Sequence, residues 1–342
     1  MLRALIVFLV CCAGACFAGA CCAGVSEAEP LVAPAWLYPL LPPAPAHAHA
    51  PPVAPAFDHV KPLHVPRSHL TYTEAQLSDM FSAPDWFPQS HAPLPAVVAY
   101  GRAPDVYACG FCHTPSGQGR PENASLAELP AAYIIRQVAD MRSGARRSAA
   151  PATYRPSDRM MLEAQHASDV EVATAAAYFS QQHFKSHVRV LERARVPRSH
   201  VVGWVYATVS GKDAAGAGDE PLGERLMEFT PDAERHEHRD DNLVYTAYVP
   251  PGSLARGLLL ARGGGATVAP PCITCHGDHL QGTAVIPRLA GRSPTYLLRQ
   301  LVAFKSGARA GANGALMRMV VANLQIGDMI DAAAYAASLE SP

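Results

Sequence analysis

Beyond residue 22 this chain of 342 residues has only four cysteines, all inside two short motifs, so none is left for a structural disulfide. The other five, Cys11, Cys12, Cys16, Cys21 and Cys22, crowd the first 22 residues. Charge is also scarce: 17% of residues are charged and the net charge is -1, so there is no electrostatic case for a nucleic-acid or membrane-surface partner. There is no P-loop lysine after a phosphate-binding glycine loop and no dinucleotide fingerprint. The apolar run at the N-terminus is too short and too rich in small residues to read as a membrane span.

What the N-terminus does have is the pattern of an export signal over residues 1–24. Arg3 supplies a positive start, Ala4–Val10 an apolar core and Ala18-Gly19-Ala20 a small-residue cleavage site. Cys16, Cys21 and Cys22 follow small residues and are candidates for a lipid anchor. The branched residue usual three places earlier is missing; Ala13, Ala18 and Gly19 stand there instead. The expected location is the periplasm. Proline, at 31 residues, is plentiful, and residues 25–66 read as a mostly extended Pro/Ala-rich linker. His47 and His49 in it read as solvated.

The four remaining cysteines form Cys109-Gly110-Phe111-Cys112-His113 and Cys272-Ile273-Thr274-Cys275-His276. Cys-x-x-Cys-His is the attachment signature of a c-type haem. Each cysteine makes a thioether to a vinyl group, and the adjoining histidine is placed to bind the iron. The expected cofactors are therefore two covalently bound haem c groups, held by Cys109, Cys112, Cys272 and Cys275, with His113 and His276 as iron ligands. Zinc on the cysteine pairs fits poorly with the immediate histidine and the export signal.

An internal repeat extends both motifs into domains. At an offset of 163, Cys109 falls on Cys272, Gln118-Gly119 on Gln281-Gly282, Tyr133 on Tyr296, Gln137 on Gln300, and Ser143-Gly144-Ala145-Arg146 on Ser306-Gly307-Ala308-Arg309. The offset then drops to 157, pairing Met160 with Met317 and Tyr178 with Tyr335. Apolar spacing predicts helices over 131–143 and 294–306, closed by Gly144 and Gly307, and final helices over about 168–181 and 326–339. A short helix over 71–82, capped by Thr73, precedes the first motif. The methionines are expected in a loop before each final helix. Methionine thioether stabilises Fe(II), and the repeat register selects Met160 and Met317 over Met161 and Met319, which face Arg318 and Leu162.

Tyr133 and Tyr296 are candidates for the haem edge. Arg146 and Arg309 are candidates to pair with propionates, against a competing reading as solvated surface arginines. Residues 186–254 differ in kind. His187–Glu192, Val201–Val209 and Leu243–Val249 read as strands around a Gly-rich turn at 211–218, while His236-Glu237-His238 reads as exposed. The expected fold is mainly α: two tandem cytochrome c-like domains with a β-rich insert and the Pro/Ala-rich extension. The divisions are 1–24 signal, 25–66 linker, 67–185 first haem domain, 186–254 insert and 255–342 second haem domain.

Together, Cys-x-x-Cys-His, Gln-Gly, Tyr-x-x-x-Gln, Gly-x-Arg, the methionine and the final Ala-Ala-Tyr helix resemble class I cytochrome c. Their tandem arrangement is similar to dihaem cytochrome c4. The resemblance implies His113 and His276 as proximal ligands and Met160 and Met317 as distal ones. It also implies a periplasmic electron carrier, not an enzyme, working with a dehydrogenase, an oxidase or another cytochrome. The insert departs from that family, so the resemblance does not set the haem-to-haem distance. A dihaem peroxidase, which needs an iron open to peroxide, and the haem subunit of a periplasmic dehydrogenase complex are the competing readings.

Overall fold

The computed structural model describes residues 31–40, 61–209, 218–265 and 269–340; the expected signal, His47, His49 and most of the Gly-rich turn lie outside them. The described residues form one compact unit. The first half contains α1 (Glu74–Ser78), α2 (Ala96–Ala99), α3 (Cys109–His113), α4 (Ala131–Arg142), α5 (Arg155–His166) and α6 (Asp169–Ser180). The middle contains β1 (Val188–Glu192), β2 (Arg195–Pro197), β3 (Ser199–Val202), β4 (Val205–Thr208), β5 (Asp219–Pro221), β6 (Met227–Thr230), α7 (Ala233–Glu237) and β7 (Tyr245–Val249). The second half contains α8 (Ser253–Ala261), α9 (Ile273–His276), α10 (Pro294–Lys305), α11 (Ala315–Val321) and α12 (Ile326–Ser338).

Local chemistry sets the ends of these elements. Thr73 and Gln76 close a reciprocal capping box on α1, and Ser168 with Glu171 does the same on α6. Gly144 and Gly307 follow α4 and α10 with φ of 75° and 76°, the left-handed turn that ends a helix. In the second half, α8 lies against α12 at Gly257, where a Cβ would sit 2.1 Å from the Asp331 carbonyl oxygen. Arg256 then clasps the Asp331 carboxylate through Nε at 2.6 Å and Nη2 at 2.9 Å.

The insert forms a five-stranded sheet in the order β1-β7-β6-β4-β3, with β2 and β5 as a separate pair. β1 runs parallel to β7 and β4 parallel to β6, while β6–β7 and β3–β4 are antiparallel. The segment read as one strand over Val201–Val209 is instead two strands of a hairpin. Its turn is Gly203-Trp204, both at positive φ, a geometry that matches strand twist.

Two sequence expectations need correction here. Within the stretch read as an extended linker, Ala35–Leu37 is a 3-10 turn, and Leu37 and Tyr38 are buried in the largest apolar core. Removing those side chains from water outweighs the absence of any periodic pattern. His236 and His238 are buried, not exposed. The His236 ring is fixed between the Tyr245 hydroxyl (Nδ1, 2.9 Å) and the Gly203 carbonyl (Nε2, 3.0 Å), so a polar run has turned inward onto polar partners.

Candidate functional site

Each Cys-x-x-Cys-His motif lies on a short helix, α3 or α9, and the chain then loops back to hold its histidine. The His113 Nδ1 meets the Ala124 carbonyl at 2.8 Å, and the His276 Nδ1 meets the Pro287 carbonyl at 2.8 Å. These partners coincide at the repeat offset. The bond makes Nδ1 the protonated nitrogen and leaves Nε2 as the one available to a metal, the usual arrangement behind a metal-bound imidazole. Burial lowers both histidines below their ordinary value, so the neutral ring that an iron needs is favoured.

The loop that carries this carbonyl depends on a tight turn. Gly119 and Gly282 have φ of 67° and 79°, and their amides donate to the His113 and His276 carbonyls. A Cβ would lie 2.6 Å from the Ala124 oxygen in the first and 2.6 Å from the Ile286 oxygen in the second. Only glycine fits both requirements.

Next to α3 is a cavity of about 730 Å³ whose walls include Cys109, Cys112, His113, Met141, Met160 and Met161. A haem fits this donor set. The cavity is mostly apolar, and the cysteines and histidine meet it from the same short helix. Burial pushes a free Cys109 thiol up to about 12 and raises Cys112 as well. A thiolate ligand for zinc is disfavoured there, whereas a neutral thioether has no charge to desolvate. In the second half Cys272 is half-buried, Cys275 is exposed and His276 is buried.

The methionines sit on helices, not in loops: Met160 and Met161 on α5, Met317 and Met319 on α11. Pro156 at the start of α5 and strong helix formers after it explain the difference. Met160 and Met161 both line the first cavity. On α11 the pair separates: Met317 packs against the largest apolar core, while Met319 is 63% exposed.

Arg146 and Arg309 are not solvated. Each is 8% exposed, and each reaches across to the other half. Arg146 Nη2 donates to Tyr296 Oη (3.3 Å) and Gln300 Oε1 (3.1 Å), and its Nη1 to Gln137 Oε1 (2.9 Å). Arg309 Nη2 donates to Tyr133 Oη (2.7 Å) and Gln137 Oε1 (2.6 Å), and its Nη1 to Gln300 Oε1 (3.0 Å). Their backbones also pair: the Arg147 amide donates to the Ala308 carbonyl and the Ala310 amide to the Ala145 carbonyl. The six side chains are repeat-matched, so the two halves meet about a pseudo-two-fold axis.

Tyr133, Gln137, Arg146, Tyr296 and Gln300 also line the first cavity, so this junction forms one wall of it. Burial acts to raise the Tyr133 phenol, but Arg309 and Arg146 hold it below its ordinary value. Burial and the neighbouring Arg309 lower Arg146. Among the described residues no carboxylate pairs with either arginine.

Sequence reasoning did not single out Arg120, Glu122 or Arg239. Arg120 and Glu122 form a pair at 3.0 Å on the wall of the first cavity, and Arg239 reaches that wall from the insert. The second repeat has Thr283 and Val285 at the positions of Arg120 and Glu122, so the repeat gave no signal for them.

Comparison with known proteins decides the family. The chain is 44% identical over 70 residues to cytochrome c-554(548) of Halomonas halodenitrificans, covering 20% of this chain and 84% of that protein. The chain belongs to the class I c-type cytochromes. Cytochrome c4 of Azotobacter vinelandii is 26% identical over 250 residues, covering 72% of this chain and 90% of that one. Among solved structures, reduced recombinant cytochrome c4 from Pseudomonas stutzeri gives a TM-score of 0.42 at 23% identity, covering 68% of this chain and 93% of that chain. No family model matches. This cytochrome carries two covalently bound haem c groups and is an electron-transfer protein similar to cytochrome c4. No helix among the described residues is long and apolar enough to cross a membrane.

Proposed function

We propose that this cytochrome is an exported, periplasmic electron carrier. It passes electrons between other redox proteins (a dehydrogenase, an oxidase or another cytochrome) through two six-coordinate haems. His113 and Met160 are the axial ligands of the first haem, and His276 and Met317 those of the second. Cys109, Cys112, Cys272 and Cys275 are the attachment points. The observation that carries this reading is the matched pair of His Nδ1-to-carbonyl bonds at 2.8 Å, each with a methionine on a following helix. A methionine on both sides of the repeat favours closed sites, and therefore electron carriage over peroxide chemistry.

The haem supplies reversible one-electron chemistry when bound, and the chain's residues set access and charge. Arg146 and Arg309 are buried cations whose partners are neutral hydroxyls and amides. Haem propionates at this junction would supply the missing negative charge and give Tyr133 and Tyr296 a role in orienting it. Because the junction lines the first cavity and bridges the halves, it is the natural route between the two sites.

The test is spectroscopic. Haem content of the intact holoprotein should be two per chain. The oxidised protein should be low-spin and show the weak far-red band of methionine-to-iron coordination. A high-spin signal, or absence of that band, would count against closed His/Met sites.

A further inference from the structure

The two attachment segments match in sequence but not in what covers them. Phe111, Pro115, Gln118 and Glu122 are buried, whereas the matched Thr274, Asp278, Gln281 and Val285 are exposed, Val285 by 72%. Cys112 is half-buried and Cys275 exposed.

The insert covers the first segment. The Arg239 guanidinium lies 3.8 Å above the Phe111 ring, its Nε donates to the Phe111 carbonyl at 3.1 Å, and its Nη1 donates to the Leu77 carbonyl at 2.9 Å. Arg120 Nη1 donates to the His236 carbonyl at 3.2 Å, and Ser116 Oγ to Asp241 at 2.6 Å. Arg239 holds this position at φ 58°, unfavourable for a side chain this large, so several contacts fix it together. Among the described residues no hydrogen bond joins the insert to 272–286.

The open segment is nearly free of charge. Over 274–285 Asp278 is its single carboxylate and there is no lysine or arginine, while Val285 offers apolar surface. A partner that matched it by charge would find almost nothing to pair with. A partner whose cofactor edge lies in an uncharged, apolar face would fit.

We propose that 274–285 is the electron port of the molecule, and that a redox protein with such a face docks there. The inference rests on the dihaem reading above. A reduced donor docked at this face would lose one electron to the second site, which would pass it to the first. The electron would leave by the reverse route, through the second site, to an oxidised acceptor docked at the same face, so donor and acceptor each change by one electron and both sites return to Fe(III). The insert shields the first site from direct exchange.

The experiment uses the full-length, oxidised holoprotein and a neutral gadolinium(III) chelate as a paramagnetic surface probe. Haem-methyl proton lines should form two sets, and the probe should broaden one of them strongly. That set should be the one shifted by Val285→Lys. In Arg239→Ala, which removes the cover on Phe111, the second set should begin to broaden. As a docking probe, a small oxidised blue-copper protein with an uncharged copper face should accept electrons from the reduced chain at a rate nearly flat in ionic strength. Val285→Lys should slow that transfer about ten-fold, the scale of one disrupted interface anchor. Equal broadening of both sets, or broadening of the set that Val285→Lys leaves unmoved, would overturn the port while leaving two low-spin haems intact. Fewer than two haems, or a high-spin iron, would overturn the dihaem reading and the port with it.

Discussion

Two methionines next to each other on α5, and two spaced by one residue on α11, pose the same question at the residue scale: which sulfur faces iron. A ligand must be sheltered from solvent, and on α11 Met317 is half-buried against the core whereas Met319 is 63% exposed. Met317→Ala should therefore abolish the far-red band of one haem and lower its reduction potential, because a soft ligand that favours Fe(II) is gone. Met319→Ala should leave both unchanged. On α5 both residues line the cavity, so Met160→Ala against Met161→Ala applies the register argument where burial does not discriminate. A second residue-scale prediction concerns pH. Burial, with Lys185 assisting, holds His187 down to about 4 from its unfolded value of 6.5. The unfolded chain then binds more protons between those values, so stability is full above about pH 6.5 and falls as pH drops toward 4. His187 is half-buried, so solvent screening reduces its contribution to about 1 kcal/mol. Denaturant midpoints of wild type and His187→Gln, compared from pH 4 to 7, should converge at the acid end. The cysteines and histidines of both motifs were legible as residues because their spacing encodes their chemistry. Arg146 and Arg309 were not, because burial depends on a partner half that the local sequence does not reveal.

At the scale of elements, the helices were legible and the turns between them less so. α4, α10, α6 and α12 follow from apolar spacing, and their ends from Gly144, Gly307 and the Ser168 box. The second methionine segment read as a loop because α11, of seven residues, is too short for its period to stand out, and the first because the twelve residues of α5 are mostly polar. The single strand read over Val201–Val209 hid a hairpin because Trp204, a bulky residue, sits at φ 72°. The glycine turns distinguish strain from contact. Gly307→Ala meets open space and bears only the left-handed φ, so it should lose about 1 kcal/mol. Gly282→Ala adds a Cβ 2.6 Å from both the Ile286 oxygen and the Arg288 nitrogen, so backbone must move. It should lose about 2 kcal/mol or more, and displacement of the 283–287 loop should weaken the Pro287 bond to His276. Urea unfolding of the two holo variants measures the difference, and equal losses would show that the turn, not the contact, dominates.

Across the whole molecule, the insert and the repeat act on the same junction from different sides. An insert of this length between two haem domains suggested from sequence alone that they need not touch, yet the turns after α4 and α10 pair with each other, and their Arg146 and Arg309 reach tyrosine and glutamine partners on the opposite helix. The insert lies beside that contact instead of spacing it: Glu228 of β6 accepts from Ser293 Oγ at 2.6 Å at the start of α10, while Arg239 holds the first attachment segment. Burying two guanidinium groups side by side is unfavourable unless their donors are shared, and here Gln137 Oε1 and Gln300 Oε1 each accept from both arginines. Removing one arginine takes a donor from three acceptors, a tyrosine and both glutamines, but also removes the repulsion felt by the other. The effects of Arg146→Gln and Arg309→Gln should therefore not add. A double-mutant cycle from urea unfolding of the holoprotein should give a coupling of about 1–3 kcal/mol, the range for residues in one buried network. A coupling near zero would mean that the halves are held by their other contacts, such as Arg292 on the Ser125 and Ala127 carbonyls. In that case electron passage between the haems would tolerate loss of either arginine, whereas a shared network requires both for the junction to keep its shape.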